Sequence, residues 1–397
     1  MHIHQLKGKV YYVGVNDRTT HLFEGMWPIP HGVSYNSYLI VDETVTLIDT
    51  VEISYMEIFL EKIRSVIGNR PIDYLVINHM EPDHSGSISQ LRRLYPHMVL
   101  VGNKQTMGMI EGYYGATGEQ YIVKDGDFLS TGHHNLRFTL TPMVHWPETM
   151  MTFDETEGIL FSGDAFGCFG ALHGGIIDTT MNLDLYWDEM RRYYANIVGK
   201  YGNPVQKALG KFTGVPIQMI CSTHGPVWTG AQIAKVVGIY DRLSRYEAEE
   251  GVVIAYASMY GHTEQIAEQI AAELNAAGVR NVVMHRLNNT HSSYVLADVF
   301  RYKGLIIGGP TYSNQLYPEV EALLSKLSVR EIKNRVIGCF GSFTWAGASV
   351  KRTIAWAETL PQNEFIAPTV EMKQAKLEEI LPACRELAQN MAQKIKE

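Results

Sequence analysis

The six residues His79-Met80-Glu81-Pro82-Asp83-His84 contain two imidazoles and two carboxylates, side chains that bind metal ions. They follow the apolar run Tyr74-Leu75-Val76-Ile77-Asn78, which reads as a buried strand. A strand holds its outgoing loop rigidly while the loop stays open, and binding residues collect in such places. Side chains two apart on an extended segment share a face, so His79, Glu81 and Asp83 are expected to point into one pocket. His84 adds a fourth donor. A plain solvated turn is the competing reading, and it gives no reason for so dense a donor set.

Three further places supply partners. His145 follows Leu140-Thr141-Pro142-Met143-Val144, Asp164 follows Gly158-Ile159-Leu160-Phe161-Ser162-Gly163, and His224 follows Ile217-Gln218-Met219-Ile220-Cys221-Ser222-Thr223. Each reads as a buried strand, then a small-residue turn, then a His or Asp. One such residue alone is better explained as a hydrogen-bonded core group; four such places in one domain change the weighting. Together the seven residues offer four imidazoles and three carboxylates, enough for two metals with one carboxylate bridging. Structural zinc favours cysteine and imidazole, and the nearest cysteine to any of them is Cys221, three residues before His224. The harder, more anionic set suits iron or manganese in a redox-active pair, with zinc left open on ligand chemistry alone.

A separate signal begins at Gly251. Val252 to Ala257 reads as a buried strand and Thr263 to Leu274 as an amphipathic helix, with Ile266, Ile270, Ala271 and Leu274 on one side. Between them lies Ser258-Met259-Tyr260-Gly261-His262-Thr263. Hydroxyls and a glycine at a helix N-terminus suit a phosphate, because free N–H groups and the helix dipole favour an anion there; an ordinary capped turn is the alternative. Two more buried strands, Gly304 to Gly309 and Arg335 to Gly341, lead into Pro310-Thr311-Tyr312-Ser313-Asn314 and Ser342-Phe343-Thr344-Trp345-Ala346-Gly347. Strands alternating with helices predict a doubly wound parallel sheet, which binds ligands at its strand C-termini. Hydroxyls, small residues, Tyr312 and Trp345 at those ends fit a phosphate joined to a flat ring. No Gly-x-Gly-x-x-Gly follows the first strand, and Met284-His285-Arg286 stands where an acidic residue would hold a dinucleotide ribose.

The elements that position these groups need room. With 397 residues, 46% apolar and 19% charged, the chain is long enough for two domains with sizeable cores. The charged stretch Tyr246-Glu247-Ala248-Glu249-Glu250 places the boundary between 1–249 and 250–397, with no long linker. Early β-rich runs, Ser34 to Val41 and Thr44 to Asp49, fit an αββα sandwich of two central sheets flanked by helices. A net charge of −8 argues against nucleic acid as a partner. No run is long and apolar enough for a membrane span, and Met1-His2-Ile3-His4 lacks a secretory core, so neither membrane nor export is expected. Cys168, Cys221, Cys339 and Cys384 form no C-x-x-C pair, which indicates a reducing cytoplasm.

His-x-Glu-x-Asp-His, then a distant His, an Asp in Ser-Gly-Asp-Ala-Phe-Gly and a His in Thr-His-Gly-Pro resemble the metallo-β-lactamase-like domain of flavodiiron proteins. Tyr35 to Ile40 and Leu47 to Thr50 match that family too, and Asp49 could orient a ligand or shape a turn. In zinc hydrolases of the wider fold the place of Glu81 is usually His. The second half resembles flavodoxin, which holds FMN, except that Tyr260 stands where a smaller hydroxyl residue is common. The resemblance implies that His79, Glu81 and His145 bind one iron, Asp83 and His224 the other, and that Asp164 bridges them. His84 varies in the family between ligand and neighbour. Tyr193 matches a tyrosine beside the diiron pocket that supplies a proton or hydrogen bond; a buried helix aromatic is the other reading. Many members carry a His after Phe near the substrate pocket, where this chain has Phe23-Glu24-Gly25.

The implied activity is reduction of O₂ to water, of NO to N₂O, or of both. Electrons would pass through FMN from a separate donor, rubredoxin or another, since no rubredoxin module follows the flavodoxin-like segment. A head-to-tail homodimer, alone or paired into a dimer of dimers, would bring one subunit's FMN beside the other's irons. The alternative is a zinc hydrolase of the metallo-β-lactamase fold fused to a flavodoxin-like module.

Overall fold

Val45-Thr46-Leu47-Ile48, Tyr74-Leu75-Val76 and Val99-Leu100-Val101-Gly102 are short apolar runs, and they become neighbouring parallel strands. The computed structural model describes residues 4–115 and 118–397, so Met1-His2-Ile3 lie outside the described residues. Two compact units, Met1–Ser244 and Arg245–Glu397, divide the chain.

The first unit holds a seven-stranded sheet whose spatial order follows the chain: His4–Gln5, Val10–Tyr12, Tyr38–Val41, Val45–Ile48, Tyr74–Val76, Val99–Gly102 and Gln120–Ile122. Pairing is antiparallel up to Val45–Ile48 and parallel beyond it. Parallel neighbours need crossovers, and helices Met56–Ile67, Ile88–Leu94 and Lys104–Tyr114 supply them. Met56, Phe59, Ile63 and Ile67 form one buried stripe at helical spacing. They join Leu47, Leu75 and Leu100 in a common core, each contributing about 1.5–3 kcal/mol by burial. The helix ends at Gly68, whose φ of 61° suits glycine.

A six-stranded second sheet runs Phe128–Ser130, Asn135–Leu140, Met150–Asp154, Ile159–Gly163, Met219–Ser222 and Trp228–Thr229. The two sheets meet through Tyr38, whose ring lies 5.4 Å from Phe161 and whose hydroxyl donates to the Ser222 carbonyl at 2.6 Å. This is the αββα arrangement.

Two local expectations fail here for stated reasons. The apolar run before His145 is not a strand to its end, since the strand stops at Leu140. Pro142 has no N–H for a ladder, and Met143 sits at φ 66°, outside the β region. The extended alternation from His79 also stops early. Pro82 opens the short helix Pro82–Ser85, as proline does at a first helical position, so Asp83 and His84 leave the backbone from a helical turn.

The second unit carries a parallel sheet ordered Val282–Arg286, Glu249–Tyr256, Tyr302–Pro310, Val336–Phe343 and Glu364–Phe365, with Val370–Lys373 also beside Val336–Phe343. The order reverses between Glu249–Tyr256 and Tyr302–Pro310, the place where doubly wound sheets bind ligands. Helix His262–Ala276 buries Thr263, Ile266, Ala267, Ile270 and Leu274. Among the described residues no helix is long and apolar enough to cross a membrane.

Candidate functional site

Both sheets of the first unit end at the same place, and their outgoing loops carry all seven donor residues. His79 and Glu81 follow Tyr74–Val76, Asp164 follows Ile159–Gly163 and His224 follows Met219–Ser222, while His145 lies in the loop from Thr141 to Thr149. The donors form two clusters, His79, Glu81, His145 and Asp164 in one and Asp83, His84 and His224 in the other. Within each cluster the donor atoms lie no more than 4.8 Å apart. His84, left between ligand and neighbour by the sequence, stands in the second cluster because the Pro82 turn carries it there beside Asp83.

Asp164 lies between the clusters. Its Oδ2 is 3.1 Å from His145 Nε2 and 3.4 Å from His79 Nε2. Its Oδ1 is 3.1 Å from His84 Nε2 and 3.7 Å from His224 Nε2. Glu81 Oε2 caps the first cluster at 3.1 Å from His145 and 3.3 Å from His79. Asp83 Oδ2 faces His84 at 3.1 Å and His224 at 3.4 Å in the second.

Groups that the sequence reading did not single out hold these side chains in place. Glu148 Oε1 lies 2.9 Å from His79 Nδ1 and accepts from the Met80 N–H at 2.8 Å. The Ser34 carbonyl lies 2.7 Å from His224 Nδ1. Each contact turns the ring so that Nε2 faces the cluster, the usual way a metal-binding imidazole is oriented. Thr223 Oγ1 donates to Asp164 Oδ1. Glu148 stands three residues after His145, and that spacing is the one hint the sequence offered. Asp49 orients the loop rather than a ring, accepting from the Asn78 backbone N–H at 2.7 Å and its side-chain amide at 2.9 Å.

The charge balance of these groups tests whether metals fit. Burial opposes charge on His79, His84 and His145, yet the carboxylates outweigh it. Asp83 and Asp164 push His84 up to about 10, and hydrogen bonds to Asp164 and Glu81 push His145 up to about 9. Asp164, with Glu148 and Glu81, holds His79 well above the ordinary imidazole range. Against the same cost of burial, His79 and His84 hold Asp164 well below the carboxylate range, and His84 does so for Asp83. His84 Nε2 and His224 Nε2 approach to 3.0 Å, and both Asp83 oxygens are buried without a well-directed hydrogen bond. Such a set of buried lone pairs is satisfied by cations, and the two clusters fit one metal ion each with Asp164 between them.

Two more residues border the site. Tyr193 is fully buried, its ring 5.4 Å from His224 and 5.0 Å from Phe169. Its hydroxyl has no hydrogen-bond partner among the described residues. Burial, then Asp164 and Glu81, hold that hydroxyl well above 10, so it keeps its proton. Glu24 is an exposed residue at the rim of the site. It accepts from Trp27 Nε1 at 2.9 Å. Burial and the Glu81 charge push it up to about 7.

In the second unit a cavity of about 650 Å³ opens at the strand C-termini, within the usual size of small-molecule sites. Met259, Tyr260, His262, Thr263, residues 310–314 and residues 342–346 line it. Ser258, Gly261 and Gly347 do not; they shape its loops. Ser258 Oγ accepts from the Gly261 N–H at 3.1 Å, and Gly261 turns into the helix at φ 92°. Thr311 Oγ1 accepts from the Ala348 and Ser349 N–H groups at 2.9 and 3.1 Å. Gln374 and Ala375 add a fourth loop that the sequence did not reveal. The start of helix His262–Ala276 and the unburied rings of Tyr312 and Trp345 fit a phosphate and a flat ring system.

Residues 33–225 match the ODP family beta lactamase model and residues 254–386 the flavodoxin model. An anaerobic nitric oxide reductase flavorubredoxin from Pectobacterium carotovorum subsp. carotovorum (strain PC1) is 32% identical over 366 residues, covering 89% of this chain and 71% of that protein. The flavodiiron protein from Giardia intestinalis superposes with a TM-score of 0.95 at 26% identity, covering 100% of this chain and 97% of that one. The rubredoxin oxygen:oxidoreductase from Desulfovibrio gigas gives 0.94 at 30% identity, covering 100% and 99%. A beta-lactamase-type unit followed by a flavodoxin unit, with similarity to these relatives over nearly the whole chain, makes this chain a member of the flavodiiron protein family.

Proposed function

We propose that this chain is an oxidoreductase that reduces O₂ to water, NO to N₂O, or both, at a non-haem diiron site supplied with electrons through FMN. The observation that carries the reading is Asp164, whose two carboxylate oxygens face two separate clusters of donors. His79, Glu81 and His145 would hold one iron, and Asp83, His84 and His224 the other, with Asp164 shared. The iron pair and the flavin supply the redox chemistry when bound.

The chain's own residues set the conditions for it. Glu148 and the Ser34 carbonyl fix the His79 and His224 rings with Nε2 inward. Phe23, Phe169 and Tyr193 wall the site with apolar surface beside His224, which excludes water. The Tyr193 hydroxyl keeps its proton among Asp164, Glu81 and Asp83, and in this reading it donates to the bound gas. At the C-terminal unit, the turn from Ser258 to Thr263 holds the FMN phosphate and the loops carrying Tyr312 and Trp345 hold its ring. Rubredoxin is the electron donor in this reading; a relative's own name, rubredoxin oxygen:oxidoreductase, supports this. Electron transfer between units calls for a head-to-tail homodimer, and the four free, buried cysteines suit a cytoplasmic protein.

The test is metal analysis of protein isolated without chelators, joined to gas consumption. Two irons and one FMN per chain, with O₂ or NO consumed under reduced rubredoxin, are expected. Stoichiometric zinc and no gas consumption would instead support the fused hydrolase.

A further inference from the structure

A second cavity, of about 560 Å³, lies in the first unit between the second sheet and helices Gly202–Lys211 and Ala231–Ser244. Its walls are largely apolar, with Met151, Leu160 and Ile220 from the sheet facing Val205, Leu209 and Val237 from the helices. Its inner wall is made by chain neighbours of two of the donor residues, neither of which itself lines the cavity. Val144 precedes His145 in the chain, and Ala165-Phe166 follow Asp164. Ala234 stands exposed at its mouth.

Two glycines within those helices line the same space, Gly210 and Gly238. Glycine inside a helix weakens it, and close packing is the usual reason to keep one. That reason is missing at both positions, because a Cβ built on either residue meets no atom within 4 Å. The space beside them is open; Gly210 is exposed, whereas Gly238 is half-buried on the cavity wall, where a larger side chain has room to occupy that space. Apolar cavities hold water poorly and take up small apolar molecules such as xenon. Both gases named in the proposed function are small and of low polarity.

We propose that this cavity is a binding site for small apolar gases and delivers O₂ or NO to the metal site from the side of His145 and Asp164. The inference rests on the function proposed above, but xenon occupancy reads the cavity without any turnover. Crystals of the holoprotein pressurised with xenon are expected to show xenon between the two helices. In Gly238→Leu, where leucine favours the helix and fills the space, xenon is expected to be lost. KM for the gas should then rise several-fold, with kcat at saturating gas, iron content and FMN content unchanged. Ala234→Phe at the exposed mouth is the second variant should Gly238→Leu misfold. A native cavity without xenon overturns the proposal, as does an unchanged KM in a variant that has lost xenon. Should the holoprotein consume neither gas, the proposed function fails and the delivery role with it, whereas xenon uptake separates that failure from a cavity that takes up no gas at all.

Discussion

In the N-terminal unit every residue proposed to hold metal contributes a side chain, and His79, His84 and His224 are at most 1% exposed. In the C-terminal unit the cavity is formed by loops, and its rings stand open, Tyr260 at 90% and Trp345 at 85% exposure. The first site spends its stability on buried charge, which is tolerable only when each carboxylate meets an imidazole or a cation. The second relies on a helix N-terminus, backbone turns and flat surfaces, whose geometry the parallel sheet supplies without burying charge. Losing one group should therefore damage the first site far more than the second.

The largest effect is expected from Asp164→Ala. Removing the shared carboxylate takes from both clusters the one donor they have in common and leaves each a single carboxylate, Glu81 or Asp83, so both irons and all gas reduction should be lost. FMN content and its reduction should stay as in the native protein. Retained gas consumption would break the contrast between the units.

Glu148→Gln comes next. It keeps the shape but loses the charge that orients His79, and metal affinity should fall by about 10–100-fold, read by competition with a chelator. A smaller and pH-dependent effect concerns the metal-free protein. His84 and His145 have folded-state values raised from 6.5 to about 10 and about 9. Their contribution to stability is present in full below pH 6.5 and is lost as pH rises through those values. The Tm of metal-free protein should fall from neutral pH towards pH 10, while metal-loaded protein, whose metal replaces those protons, should not show this fall. The smallest effects belong to the flavin site. Trp345→Ala should weaken FMN by about fivefold, the worth of one aromatic contact of ~1 kcal/mol, and Tyr260→Ala by less. Fluorescence titration of FMN into the apoflavin form measures both.

How much was legible in the sequence follows the same contrast. Donor residues crowded after an apolar run, as from His79 to His84, are readable because few other purposes need them. The three strand-end loops of the C-terminal unit were readable because β-α alternation fixes where a parallel sheet binds. Glu148 was not, since a single carboxylate three residues past a His has no pattern of its own. Nor was the Ser34 carbonyl, because any residue carries one. The strand before His145 was overextended because apolar residues continue past Pro142, where the missing N–H and the positive φ of Met143 end it. The loop at Gln374-Ala375 follows a four-residue strand, Val370–Lys373, too short to announce itself.

Residue chemistry alone determined which kinds of ligand this protein can hold, because imidazole, carboxylate and hydroxyl groups keep their affinities wherever the chain carries them. Tertiary structure decided how they are shared. Only the packing of two sheets, which brings their strand ends together, sets the two oxygens of Asp164 towards different clusters, and only the helical turn at Pro82 sends Asp83 and His84 together into the second. Distances between segments more than a hundred residues apart are set by packing, and no spacing along the chain encodes them.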